Sequence, residues 1–257
     1  MKNYTLILII LSLIISPSFA QYVRFVRSGV IEYQKRINMH AIIGRSIDSE
    51  HAPLMSSAYQ AYKREYPQFK ELKSSLVFKN NKTVFTPVGE NTSITRYFDD
   101  PHIVAQNNIV YSDMDTGKLA SKRIVFDQTY LVKDSLRAIK WKFTDEVRDI
   151  AGYPCRRANG LVIDSVYVVA FYTDKIPISG GPELFGGLPG MILQVVLPHE
   201  NVSWTATKVE DLELPENSIV PPTSGTIIDF NGLTNKLKSI HKDGTKNAFS
   251  DLLGFLL

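Results

Sequence analysis

One cysteine stands in the 257 residues. A lone thiol makes no intramolecular disulfide, so this chain must take its stability from burial and hydrogen bonding. Cys155 sits in "GYPCRRANGLVI", where a strand begins, with no histidine near it, and reads as a small buried hydrophobe rather than a nucleophile. Histidine is scarce as well. His40, His51, His102, His199 and His241 are scattered and show neither H-x-x-x-H nor H-E-x-x-H spacing, so neither a metal nor a cofactor is expected. The serine-hydrolase pentapeptide G-x-S-x-G is absent too. Charge of one sign is missing: 29 Lys and Arg stand against 26 Asp and Glu, interleaved along the chain. No basic stripe forms, which excludes a nucleic-acid binder. The densest arginine pair, Arg156-Arg157, reads as a solvated strand face.

Long apolar runs are lacking beyond the first twenty residues. Those combine Lys2, the apolar "YTLILIILSLII" and the small-x-small triplet Ser18-Phe19-Ala20, the pattern of a secretory signal cleaved before Gln21. Ser16 and Pro17 break the run, so it is too short to span a bilayer, and no cysteine marks a lipoprotein. The expectation is an exported protein, periplasmic or secreted, with no transmembrane segment in the mature chain. Residues 21–257 fit one β-rich domain with C-terminal helices, because neither a repeat nor a long linker divides them.

What fills that domain is short β segments separated by turn signals. "SSLVFKNNKTVFT" at 74–86 predicts a hairpin about Asn80-Asn81, and "SDMDTGK" at 112–118 predicts a second. "IKWKF" at 139–143 alternates, which would place Ile139, Trp141 and Phe143 on one face. Further strands are expected at 23–33, 128–133, 154–163, 165–173, 191–197 and 202–209. "VYVVAFY" at 166–172 and "MILQVVL" at 191–197 are apolar on both faces, so something must cover each on its second side. Met55, Tyr59, Tyr62 and Tyr66 form a helical stripe between Pro53 and Pro67. Asn231 is placed to cap a helix carrying Leu233, Leu237 and Ile240, and "NAFSDLLGFLL" would add a last apolar turn or two. Between these, 215–226 reads as an irregular connection.

"GGPELFGGLPG", residues 180–190, holds five glycines and two prolines. Leu188-Pro189-Gly190-Met191 matches a type II turn, with Pro189 fixing φ and Gly190 supplying a positive φ, and Gly187 adds freedom just before it. Leu184, Phe185 and Leu188 would then lie on a loop that cannot easily hide all of them. A phosphate cradle is excluded, because the glycine spacing is wrong and a strand rather than a helix follows.

The hexapeptide Gly187-Leu188-Pro189-Gly190-Met191-Ile192 is similar to the name-giving motif of the GLPGLI family of exported Bacteroidetes proteins, with Met191 where the name has leucine. Trp141, the run Ile150 to Ala158, the strand end "AFYT", Lys175-Ile176-Pro177 and Gly181-Pro182 resemble that family's pattern as well. The resemblance covers about residues 140–200. That family is largely uncharacterised, so the resemblance carries over no catalytic residue. By analogy it implies a strongly curved antiparallel sheet or half-barrel, mainly β with a few helices (α+β), similar to lipoprotein-carrier folds. Bowl-like accessory domains of some bacterial glycan-cleaving enzymes are another possible relative. The tripeptides "DSL" at 134–136 and "DSV" at 164–166 resemble the short O-glycosylation signal of such exported proteins.

No other motif concentrates chemistry. "DDPH" at 99–102 and "DMDTG" at 113–117 read as turns; the second starts like a calcium loop but lacks the later glutamate. What remains is an apolar, aromatic set: Trp141, Phe143, Tyr153, Phe171, Tyr172, Phe185 and Leu188. In a flat sandwich they would be ordinary core; in a curved sheet they would line a pocket for an apolar or lipid-like ligand. Three functions follow. The first is a non-enzymatic exported protein binding an apolar ligand or an envelope partner protein through a curved sheet. The second is an envelope hydrolase or glycan-acting enzyme with a dispersed site. The third is an assembly module for an outer-membrane receptor, docking by an edge strand or by the loop 176–190.

Overall fold

The computed structural model describes residues 25–47, 52–89, 102–125, 128–163, 165–240 and 253–256. The expected leader and its cleavage site, His51, His241, Asp99-Asp100, Asp164, residues 247–252 and Leu257 lie outside them. Twelve strands form one open sheet: β1 (Ser28–Asn38), β2 (Phe69–Lys79), β3 (Lys82–Val88), β4 (Ile109–Asp113), β5 (Lys118–Val125), β6 (Gln128–Ser135), β7 (Lys142–Ile150), β8 (Tyr153–Val162), β9 (Val166–Thr173), β10 (Met191–Leu197), β11 (Val202–Asp211) and β12 (Thr226–Ile228). Their spatial order is β12-β6-β5-β4-β3-β2-β1-β11-β10-β9-β8-β7. Among the described residues three α-helices accompany them, α1 (Met39–Ser46), α2 (Ala52–Glu65) and α3 (Phe230–Ile240), with a helical turn at 253–256. The protein is mainly β, as its sequence indicates. The sheet is mixed rather than purely antiparallel, because β12 returns from the 212–225 connection to pair parallel with β6.

The local chemistry explains the turns. Asn80 and Asn81 take φ of 49° and 56°, the two positive values of a type I′ hairpin between β2 and β3. At the β4–β5 turn Asp113 Oδ1 accepts from the amides of Asp115 and Thr116, each at 3.1 Å, and Gly117 supplies φ 66°. Asn38 ends β1 by accepting from the amide of Ala41 and so starts α1. β1 begins at Ser28, later than residue 23, and runs on to Asn38. The cap of α3 is Asp229, whose carboxylate accepts from Gly232 N at 2.7 Å, and not Asn231, which lies inside the helix.

Cross-strand register carries the core along one face. From β1 outward, Ile31, Leu76, Phe85, Val110, Ser121 and Val132 oppose one another in turn, and all are buried. In the other direction Lys35 opposes Trp204, then Val195, Ala170, Ala158 and Phe143. Every member of that second row is buried except Phe143, at the end. The α2 stripe joins the same core: Tyr62 is buried and stacks on Tyr66 at 4.9 Å, while Tyr59 Oη donates to His40 O. A second cluster gathers Leu233 and Leu237 of α3 with Val125, Tyr130, Val132, Phe255 and Leu256.

The segment 139–143 departs from the alternation read in its sequence. Residues 136–141 run outside the sheet, and β7 starts only at Lys142. Ile139 and Trp141 lie over Gly160, where a Cβ would stand 2.9 Å and 3.0 Å from their carbons. Gly160 thus makes the space that the indole occupies. Phe143, opposite Ala158 on the same face as Gly160, lies on the outermost strand and is 56% exposed.

Candidate functional site

β9 and β10 are apolar on both faces, and the cover that this demands comes from their own connection, residues 174–190. Ile176, Ile178, Leu184, Phe185 and Leu188 are all buried, so the loop hides every apolar side chain that its sequence left over. It does so by tight turns. The amides of Ile178, Gly180 and Gly190 each donate two residues back, to Ile176 O, Ile178 O and Leu188 O, all at 2.8 Å. These are γ-type bonds. The expected type II turn at Leu188–Met191 is therefore corrected: Gly190 has a positive φ, but of 148°, and Met191 N donates to Ile176 O instead of Leu188 O. Pro189 and Gly190 bend the chain; the neighbouring segment takes the amide.

Gly187 (φ 83°) donates to Ser179 O, and Trp141 Nε1 donates to Gly186 O at 3.0 Å, tying the loop to the 136–141 crossing. Inside, Phe185 packs on Trp204 with ring centroids 5.8 Å apart. Phe171 and Tyr172 are both buried, but as neighbours on one strand they face opposite sides of the sheet. Arg148 lies over the Phe171 ring at 4.4 Å, whereas Tyr172 meets Phe143 edge-on. Tyr153 is half-buried against the core. The seven aromatic and apolar candidates therefore do not line one hollow: Phe171 is behind the sheet, Phe143 is at its rim, and Phe185 and Leu188 fill the space themselves.

Sequence reading missed the charged groups sealed beneath the loop. Lys35 is buried, donates to Ile103 O and Ala105 O at 2.8 Å each, and sits 4.9 Å above the Trp204 ring. Glu183, at φ 51°, is buried and accepts from Asn108 Nδ2 at 3.1 Å. Burial pushes its carboxyl up, against the opposing pull of Arg123, Lys35 and the Asn108 bond. Burial likewise brings the Lys35 ammonium down to about 8, with Glu183 working against the fall. The signal for Lys35 was present: Ile31, Tyr33, Lys35 and Ile37 share one parity, so alternation alone puts the lysine on the dry face. Glu183 gave no such signal, because a glycine-rich loop has no period. Their hydrogen bonds tie Glu183 of the loop, and Lys35 of β1, to the 103–108 segment that leads into β4.

Cys155 is buried, and burial with nearby Asp149 pushes its thiol up to about 12. It is expected to resist a disulfide reagent in the native state at pH 8 and to react stoichiometrically in denaturant; fast native labelling would contradict the burial. Among the described residues no group of three His, Cys, Asp or Glu could hold a metal ion, and no helix is long and apolar enough to cross a membrane.

An open mixed sheet, with the buried apolar residues of the 174–190 loop packed into its core, defines a mainly β domain. The chain belongs to the family described as "N-glycanase peptide, N-terminal domain", whose model matches residues 61–234. It is similar to the solved structure of PNGF-II in space group C2, at 17% identity and a TM-score of 0.51, over 82% of this chain and 32% of that one. The same protein in space group P21 gives 16%, 0.49, 82% and 32%. A crystal structure of an uncharacterized conserved protein from Thermus thermophilus gives 6% identity and a TM-score of 0.39, over 79% and 91%. This chain thus spans about a third of the PNGF-II chain, and the likeness is one of fold. No curated protein matches it.

Proposed function

We propose that this is an exported, non-enzymatic binding module that engages a partner protein of the cell envelope from the rim of a rolled sheet, with the GLPGLI-like hexapeptide as part of its internal plug. What supports the roll is a contact between β7 and β11, although β8, β9 and β10 lie between them in the sheet. In a flat sheet strands that far apart would be about 19 Å distant. The plug argues for a protein partner over an apolar ligand, since Phe185 and Leu188 occupy the space that a carried ligand would need.

The observation that carries the reading is the place of β7 as the last strand of the sheet among the described residues. Phe143 opposes Ala158 and Val147 opposes Arg156, so both lie on the same side of the sheet, and they are 56% and 58% exposed. An edge strand that carries two exposed apolar side chains is suited to strand addition. The family supports a glycan-acting enzyme as the class of partner. The test is cross-linking from positions 143 and 147 in the protein's own envelope, followed by native mass spectrometry of the purified chain. One protein adduct is expected, lost in Phe143→Asp and kept in Leu212→Asp, which alters an exposed leucine elsewhere. A retained lipid without any protein adduct would overturn the reading in favour of ligand carriage.

A further inference from the structure

A cavity of about 210 Å³ lies between the loop 179–187, the inner face of β4 and β5, and the start of the 136–141 crossing. Its floor is apolar and buried, formed by Leu119, Leu184 and Phe185; Ser112, Met114, Leu136 and Gly187 stand at its more exposed side. Arg137 is part of its wall. An apolar cavity of about 150 Å³ already accommodates benzene, so this one has room for a ring with a substituent.

The charge around it is unbalanced. Arg123 and Arg137 flank one ring, Phe230, with guanidinium carbons 5.7 Å and 5.5 Å from its centroid. Arg123 Nη1 donates to Phe255 O and Arg137 Nη2 to Leu256 O, each at 2.6 Å. Yet among the described residues Arg123 Nη2 and Arg137 Nη1 are buried without a hydrogen-bond partner. Among the described residues Glu183 is the one buried carboxylate facing Arg123, and Lys35 draws on it too. Two guanidinium groups each short of an acceptor are costly inside a protein, and a planar carboxylate is the group whose geometry meets a guanidinium edge.

We propose that this cavity binds a small organic anion, a carboxylate on an apolar body the size of benzoate, with Arg137 taking the carboxylate and Leu119, Leu184 and Phe185 holding the body. The site is remote from the Phe143 and Val147 rim in its lining residues, so it stands or falls separately from the partner reading.

Ligand-observed fluorine NMR with 4-fluorobenzoate and with fluorobenzene tests it on the intact chain. The wild type is expected to bind the carboxylate at least about tenfold more tightly than its neutral counterpart. Arg137→Gln should abolish that preference while fluorobenzene binding is unchanged, and Ser112→Phe, which crowds the cavity, should weaken both probes. Equal binding of the two probes by the wild type, or no binding of either at millimolar concentration, would overturn the proposal. Should Arg137→Gln fail to fold, the wild-type preference and the Ser112→Phe result decide it alone.

Discussion

Gly190→Ala is expected to lower stability by about 3 kcal/mol or more, read as a fall in the urea midpoint at unchanged slope. A Cβ built there would stand 2.1 Å from Thr173 O and 2.8 Å from its carbonyl carbon, with Asp174 Cα at 3.1 Å. Those atoms are backbone on the buried end of β9 and cannot swing aside. The φ of 148° adds strain for any L side chain. Gly152 provides the control, because at φ 82° it has nothing within 4 Å of a Cβ. Gly152→Ala should therefore cost only about 1 kcal/mol, the left-handed conformation alone. Equal losses at the two positions would mean that the loop yields at Gly190 and does not clamp β9 to β10.

Phe185→Ala should cost about 3–5 kcal/mol, since it removes a fully buried ring that packs on Trp204. Phe143→Ala removes a ring of the same size at the rim and should change stability by no more than about 0.5 kcal/mol. The pair separates plug from rim. If Phe185→Ala instead keeps its midpoint and gains binding of an environment-sensitive dye, the interior is a working hollow and the loop a cover over it. Trp204 reports on the same event, because loss of Phe185 exposes its indole to a changed environment.

Much of the fold was written in local pattern. The Asn80-Asn81 hairpin, the Asp113 turn, the tyrosine stripe on α2 and the double-sided burial of β9 and β10 each rest on a short-range rule that nothing distant overrides. β7 escaped because Thr144-Asp145-Glu146-Val147-Arg148-Asp149 shows no alternation; as an edge strand it owes its place to β8 alone, with a register shift between Phe143 and Val147. Trp141 was placed on the wrong element for a related reason, as the space for it is made by Gly160, nineteen residues on. The candidate site was less legible still. Phe171 and Tyr172 were grouped by composition although strand geometry parts them, and the electrostatic pull of Arg123 and Lys35 on Glu183 joins three segments that no spacing links.

The register of β1 has a consequence for how this chain reaches its native state. β2 to β6 follow one another as neighbours, and so do β7 to β11, each strand zipping onto the one just laid down. The two halves meet at a single seam, where Gly29 to Ile37 pair with Val202 to Asp211, some 170 residues later. Until that far strand arrives, β1 offers a naked border to any other chain. Closing so long a loop is the slow event that topology imposes, and the interval before it is when the molecule most needs a chaperone.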